Sequence, residues 1–267
     1  MANTRFSVST RRLVPRLAYH HVLMFGHAVA IVLISIVLSG CSSYSSMTNI
    51  YILGLSYTNS TPSNLNAITQ NLSETLNGFK GSAHLEVRIG YFGMCVRQRG
   101  IVWLCSSDTE GLAQQIGSEN DPLDLIGTAS KFKSDVLFSG LLFMAIVLAF
   151  VSMVLMATFP NTRNEREEHS GSDNGVKTYP SRPVTQVVLT QSFVAAVLLL
   201  TAGLWQHIGS VGAAAMAETA NYGNINTSIG TASIAMAWTG CVIETLVTIF
   251  VVILILSFIV SDRLGDD

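Results

Sequence analysis

The chain has 267 residues, of which 12% are charged and 49% hydrophobic, and its mean hydropathy is +0.45. A soluble domain usually carries about 25% charged residues, so this composition indicates a protein that folds in lipid. The net charge of −2 gives no electrostatic signature of nucleic-acid binding. The sequence holds neither a zinc-type cysteine cluster nor a glycine-rich phosphate loop, so we expect no nucleic-acid partner, no metal site and no cofactor.

Four apolar segments are long enough to cross a bilayer, which takes about 20 residues per helix. They are residues 18–39, 136–159, 184–208 and 237–260. The sequence therefore predicts a membrane protein of the α class, a four-helix transmembrane bundle whose first partner is the lipid bilayer.

The connections between these spans divide the basic residues unequally. The tails (1–17 and 261–267) and the 160–183 linker hold nine Lys and Arg residues, whereas the longer loops 40–135 and 209–236 hold six. Segments rich in Lys and Arg stay on the cytoplasmic side of a membrane. We therefore expect a multi-pass membrane protein with both termini in the cytoplasm and both loops outside.

The end of the first span offers one alternative. The stretch "LSGC" at residues 38–41 resembles a bacterial lipoprotein cleavage box, and cleavage there would remove the first helix and invert the topology. However, the apolar stretch is longer than the ~7–15 residues of a signal peptide, and a long tail precedes it. We therefore retain four spans.

The first outer loop carries strand patterns. Residues 84–91, "HLEVRIGY", alternate polar and apolar side chains, which predicts a half-buried strand. Residues 101–105, "IVWLC", are predicted as its partner, with 97–100 as the turn and Gly100 supplying a positive φ. Residues 49–57 are a third strand candidate, so we expect a small antiparallel sheet of three or more strands on the outer side.

Two cysteines fall within this predicted sheet. Pairing about Gly100 places Cys95 opposite Cys105, and it places Trp103 opposite Arg97, where a cation–π contact can form. A disulfide there would stabilise the sheet by about 2.5–3 kcal/mol through loop closure. A metal pair or free thiols are the alternatives, although no His or further Cys lies at metal-ligand spacing. The other cysteines, expected to be small apolar packing residues, are Cys41 and Cys241.

A family resemblance rests on the residues around the first cysteine of this pair. They are Gly90-Tyr91-Phe92-Gly93-Met94-Cys95, followed after nine residues by Cys105. This Gly–aromatic–aromatic–Gly–x–Cys…Cys pattern resembles the claudin-like signature of the fungal pheromone-induced ("factor-induced gene") calcium regulators and membrane-fusion proteins. The stretches "LSGCSSYSS" and "NIYILGLSY" and the four-span plan are similar too, so that the resemblance covers about residues 20–260.

The resemblance implies a claudin-like fold, with the stapled sheet resting on the bundle. It also implies a non-enzymatic plasma-membrane protein that supports low-affinity calcium influx and cell fusion during mating or hyphal development. Ca²⁺ would be the transported or regulating ion, and calcium-channel subunits or further copies of the chain would be the partners. The alternative is a claudin-type adhesive tetraspan that organises membrane contacts without ion transport, although Tyr91-Phe92 stands where claudins carry Leu-Trp.

One acidic residue, Glu244, lies inside a predicted span, and an intramembrane carboxylate is a functional hypothesis by default. Counting along the helices puts Ser35 and Thr201 at its depth, where their hydroxyls would either bond to a protonated carboxyl or line a wet cavity with an ionised one. The same count separates His27 from Glu244 by roughly 12 Å in depth, so we expect no direct pair. Helix packing and a cation path both remain open as its role, but a single carboxylate cannot replace the 6–8 oxygen ligands of calcium.

Three further points complete the sequence prediction: the absence of a catalytic arrangement, the acidic stretch and the glycosylation candidates. We find no Ser/His/Asp arrangement at membrane depth, which argues against an enzyme. The acidic residues of 108–124 lack EF-hand spacing and predict a solvated surface or a loose calcium site. The glycosylation candidates are Asn59, Asn71 and Asn226.

Overall fold

The structure is a computed structural model that describes residues 19–42, 47–58, 67–100, 102–159 and 182–263. Its elements in chain order are α1 (Tyr19–Ser39), β1 (Leu53–Tyr57), α2 (Ala67–Lys80), β2 (Leu85–Ile89), β3 (Met94–Gln98), β4 (Trp103–Ser106), α3 (Thr109–Ile116), α4 (Leu125–Asp135), α5 (Gly140–Ala157), α6 (Arg182–Ala220), β5 (Ile225–Ile229) and α7 (Thr231–Arg263). The predicted N-terminal tail, residues 264–267 of the C-terminal tail and residues 160–181 of the linker lie outside the described residues.

Four helices, α1, α5, α6 and α7, are long and apolar enough to cross a membrane, as predicted. They pack side by side as a bundle, and all five strands lie at one end of it. We call this end the sheet side. The chain enters and leaves the bundle at the end away from the sheet.

Residues 209–236, predicted as the second outer loop, are largely helical. Helix α6 continues to Ala220 and α7 already begins at Thr231, so only residues 221–230 connect them. The stretch "AAAMAETA" at 213–220 consists largely of strong helix formers, which carry α6 well past the apolar span. At 39 residues, α6 is about 58 Å long, nearly twice the thickness of the hydrocarbon layer.

The sheet has five antiparallel strands in the order β4-β3-β2-β1-β5. The strands expected within 49–57 and 84–91 are present as β1 and β2. The expected pairing of 84–91 with 101–105 was wrong, because β3 lies between β2 and β4. Residues 97 and 98 extend β3 instead of forming the turn, and Gly100 has the expected positive φ of 73°.

One apolar core joins the sheet to the membrane bundle. The buried face of the sheet, with Leu55, Val87 and Val96, belongs to the same cluster of contacting side chains as Ile34 of α1 and Leu199 of α6. Helix α4 packs on β1 and β2 from the same side. Because the core is continuous, the sheet is held by the helix ends as well as by the hydrogen bonds between its own strands.

Three aspartates of the acidic stretch cap helices. Asp108 accepts a hydrogen bond from the amide of Gly111 at the start of α3, and Asp124 accepts one from Gly127 at the start of α4. Asp121 accepts the amides of residues 125 and 126 and the hydroxyl of Tyr57, at 2.6 Å. Burial and this carboxylate both raise the pKa of Tyr57. These aspartates therefore have a structural role.

Removing the Cys95–Cys105 disulfide is expected to loosen β3 and β4 without unfolding the bundle. A Cys95→Ser, Cys105→Ser variant should lose about 2.5–3 kcal/mol of local stability, since the unfolded loop regains its entropy. Hydrogen exchange of the β3 and β4 amides measures this loss. Cys241→Ala, which removes a buried thiol remote from the sheet, is the control, and equal exchange in both proteins would contradict the prediction.

Candidate functional site

The Gly–aromatic–aromatic–Gly motif forms the turn between β2 and β3, where the Gly90 amide donates to the carbonyl of Gly93, at 2.9 Å. Both glycines lie against the backbone that leaves α1. A Cβ on Gly90 would overlap the carbonyl oxygen of Gly40, and a Cβ on Gly93 would lie 2.6 Å from the carbonyl oxygens of Cys41 and Ser42. The motif needs glycine at both positions because the sheet meets the first span backbone to backbone.

The two aromatic residues of the motif have different environments. Tyr91 is buried and its hydroxyl donates to Gln206 Oε1 of α6, at 3.2 Å. Burial raises the pKa of Tyr91, so it remains a neutral hydrogen-bond donor. Phe92 is half-exposed, and its carbonyl accepts a hydrogen bond from Lys133 of α4. This turn therefore fastens the sheet to α1, α4 and α6.

The register predicted for the cysteine pair is present. Cys95 lies opposite Cys105 and the two sulfur atoms are bonded. Arg97 lies opposite Trp103, with its guanidinium carbon 4.7 Å from the ring centroid. The disulfide thus fixes the outermost strand, β4, to β3.

A further arginine contact was missed by the sequence analysis. Arg88 lies between two aromatic rings, 4.4 Å from the centroid of Trp103 and 4.8 Å from that of Tyr51. Glu86 pairs with both Arg88 and Arg97. We call these five residues the arginine ladder. They lie on the solvent-facing side of the sheet, to which the polar–apolar alternation of β2 assigns Glu86 and Arg88. This alternation was the sequence signal from which the contact could have been predicted.

Within the bundle, three helices place polar side chains in contact. His27 Nδ1 of α1 lies 3.0 Å from Glu244 Oε2 of α7, and His27 Nε2 lies 3.4 Å from Ser192 Oγ of α6. All three residues are fully buried. Glu244 Oε1 has no hydrogen-bond partner among the described residues. This arrangement is costly in an apolar interior unless the pair carries no net charge.

The remaining spanning helix, α5, contributes a polar side chain at the same depth. Ser152 of α5 is fully buried and donates to Gln191 Oε1, the neighbour of Ser192, at 3.4 Å. We call His27, Ser152, Gln191, Ser192 and Glu244 the polar layer. One apolar cluster lies on its sheet side and a second, smaller one lies on its other side. The layer therefore interrupts an otherwise apolar bundle near its middle.

The predicted partners of Glu244 were wrong. Ser35 and Thr201 are exposed on the bundle surface and donate to carbonyls of their own helices. The expectation that His27 would not reach Glu244 was wrong as well. Helix α7 begins six residues before the predicted start at 237, which shifts Glu244 by about 9 Å relative to the assumed boundary.

The predicted absence of a Ser/His/Asp arrangement at membrane depth was also wrong. Ser192, His27 and Glu244 follow one another in the order of a hydrolase triad. However, all three are fully buried, so a substrate cannot reach the Ser192 hydroxyl in this conformation. The arrangement can share and hold a proton, and it can join three helices.

The remaining sequence candidates have simple environments. Cys41 is buried, and burial raises its pKa to about 12, so the thiol stays protonated. Asn71 and Asn226 are exposed, and Asn59 lies outside the described residues. Among the described residues, no three His, Cys, Asp or Glu side chains are grouped so as to hold a metal ion.

Four bilayer-crossing helices with a disulfide-bridged sheet at one end define a multi-pass membrane protein. The family described as "Ca2+ regulator and membrane fusion protein Fig1" matches residues 68–257. The chain belongs to this family, which confirms the resemblance found in the motif. The family description supports a role in calcium regulation and membrane fusion. No curated protein matches the chain.

Gly90→Ala is expected to separate the sheet from the end of α1, because the new methyl group has no space beside the Gly40 carbonyl. The variant should show a lower melting temperature and a lower surface level. Gly78→Ala is the matched control, since Gly78 has no atom within 4 Å and lies inside α2, where alanine is favoured. Equal stability of the two variants would refute this account of the motif.

His27→Leu is expected to destabilise the bundle by on the order of 2–4 kcal/mol, because it leaves Glu244 buried without a partner. Adding Glu244→Leu should recover most of this loss, since the pair is then replaced by apolar side chains. Thermal unfolding of the protein in lipid nanodiscs measures both changes. Thr201→Leu, at an exposed hydroxyl of α6, is the control; additive losses in the double variant would contradict the proposed coupling.

Proposed function

We propose that this protein is a non-enzymatic tetraspan of the fungal plasma membrane that regulates low-affinity calcium influx and membrane fusion during mating or hyphal development. Family membership supports the calcium and fusion roles. The structural observation that carries the proposal is the fully buried His27–Glu244 pair, because an ionisable pair at membrane depth is costly and marks function.

The orientation proposed for the chain places the sheet outside the cell. Nine of its fifteen Lys and Arg residues lie in the tails and the 160–183 linker, which favours a cytoplasmic location for those segments. The disulfide of the sheet is stable in an oxidising compartment such as the cell exterior. With this orientation the arginine ladder faces other cells, in a claudin-like arrangement of a sheet on four spans.

The polar layer supports regulation better than conduction by a single chain. Calcium takes 6–8 oxygen ligands, whereas the layer offers one carboxylate, and that carboxylate is enclosed. A pore made by one chain would need to open the contact between three helices. We therefore propose that the chain acts on calcium entry as an oligomer or through a partner channel subunit.

The test is calcium uptake by cells that carry Glu244→Gln. Glutamine keeps the size of the side chain and a hydrogen bond to His27 but cannot ionise, so we expect normal surface level and at least a several-fold loss of uptake. Glu110→Gln, the same change at an exposed carboxylate of α3, should leave uptake unchanged. Unaltered uptake in Glu244→Gln would refute the role of the carboxylate and would favour the adhesive alternative.

A second measurement separates regulation from conduction. If the chain acts through a partner channel subunit, the purified chain in liposomes with an entrapped calcium indicator should show no flux above that of empty liposomes. Calcium flux by the chain alone would refute the need for a partner subunit and would favour conduction by an oligomer of the chain.

The adhesive alternative has its own structural support in the arginine ladder, whose aromatic and guanidinium groups lie together on one face of the sheet. Such groups are enriched in protein interfaces. In that case cell–cell contact would depend on Trp103 and would not depend on Glu244.

A further inference from the structure

Helix α2 is packed with its polar side inward. Its fully or nearly buried side chains are Ser73 and Lys80, and Leu76 is half-buried. The other three large apolar side chains are exposed: Ile68 by 77%, Leu72 by 43% and Phe79 by 70%. These three residues fall within about 40° of one another on the helix surface, at 100° per residue. We call them the apolar stripe. A soluble helix normally does the opposite, so an exposed stripe of this kind indicates a binding surface.

Hydrogen bonds hold the buried polar side chains of α2 against the rest of the protein. Ser73 Oγ donates to the carbonyl of Tyr222, and Asn224 Nδ2 donates to the carbonyl of Ser73, each at 3.0 Å. Lys80 Nζ donates to the carbonyl of Thr58. Burial lowers the pKa of Lys80, which fits an amine held away from solvent. The polar face is thus committed to the protein, and the apolar stripe is left free to bind.

The height of α2 excludes the membrane in which the protein itself is embedded. Trp205, Ser39 and Thr231 are each 12 or 13 residues from the polar layer along their helices, so they lie at about the same depth. The indole of Trp205 donates to the Val136 carbonyl, and tryptophan is typical of the membrane–water interface, here on the sheet side. From Trp205 to Ala220, α6 rises by about 22 Å. Helix α2 is fastened to Tyr222, just beyond that end. The stripe therefore lies above its own lipid headgroups.

The charge of α2 favours a lipid surface over an electrostatic partner. Its only charged residues are Glu74 and the buried Lys80, so the helix offers no net charge and no exposed cation. The binding of such a helix to a membrane surface scales with the apolar area that it buries between the lipid headgroups, and α2 would depend on this contribution alone. The family description names membrane fusion, which requires contact with a second bilayer.

We infer that helix α2 docks its apolar stripe, Ile68, Leu72 and Phe79, into the outer leaflet of an apposed membrane. This inference rests on the proposed function, since it needs the sheet side to face another cell. It adds a membrane-binding site at about 20 Å above the protein's own bilayer. The two bilayers would thereby be held apart by roughly the height of the sheet.

The test uses the full chain in lipid nanodiscs, enzymatically deglycosylated because Asn71 borders the stripe. Protein-free small vesicles of neutral phosphatidylcholine are added and floated on a density gradient. We expect loaded nanodiscs to float with the vesicles and empty ones to remain behind. Binding should persist at about 1 M salt, where charge attraction is screened.

The Ile68→Ser, Phe79→Ser variant should bind vesicles about tenfold less tightly or worse, because two side chains no longer leave water. The matched control is Val102→Ser with Met216→Ser, since these sheet-side residues are similarly exposed, by 69% and 74%, but lie outside the stripe. Its binding should change by less than about twofold. Ile68→Leu with Phe79→Leu should retain binding, which separates apolar insertion from damage to α2.

The inference is overturned if wild-type nanodiscs do not float, if binding disappears in salt, or if the control variant loses as much binding as the stripe variant. It is also overturned if only vesicles that carry this chain are bound, because the stripe would then recognise a second copy. If the nanodiscs do not bind vesicles but calcium uptake still depends on Glu244, the membrane-docking role of the apolar stripe is refuted and the proposed function stands. If the nanodiscs bind vesicles but calcium uptake does not depend on Glu244, the docking role stands and the proposed function is refuted.

Discussion

The relative depth of three helices depends on the contact between His27, Ser192 and Glu244. An ionisable side chain at the middle of a bilayer cannot be hydrated, so His27 and Glu244 depend on each other for a partner, and Ser192 adds a contact to the second ring nitrogen of His27. Sliding one helix by a single turn would break the contact. Apolar side chains alone would not fix this register, because lipid solvates them as well as a neighbouring helix does.

This register determines where the sheet can form. With the polar layer aligned, Ser39, Trp205 and Thr231 lie at one level, 12 or 13 residues from it. The backbone after α1 then meets Gly90, and the turn before α7 meets the carbonyl of Tyr51, where a Cβ on Gly230 would overlap it. Both contacts leave no room for a side chain. A sheet docked this closely follows any change in the helix ends.

Local patterns in the sequence predicted the four spans and the register of the cysteine pair, but they did not predict contacts between elements that are distant in the chain. The alternation of residues 85–89 and the midpoint at Gly100 were enough to place Cys95 opposite Cys105, because both signals are short-range. Strand β5 was missed since "INTSI" is short and mostly polar, and it becomes a strand only by pairing with β1. The partner of Glu244 was missed because depth was counted from hydropathy, which does not mark where α7 begins above the lipid.

The enclosure of the polar layer limits how the protein can use it. Ser192, His27 and Glu244 have the order of a hydrolase triad, yet without access to a substrate they cannot perform that chemistry. Apolar clusters lie on both sides of the His27–Glu244 pair, and both side chains are fully buried, so the pair is closed to water in this conformation. The sheet is fastened to the end of α1 through Gly90 and to α6 through Tyr91, and α1 and α6 carry the two residues, His27 and Ser192, that join Glu244 in the polar layer.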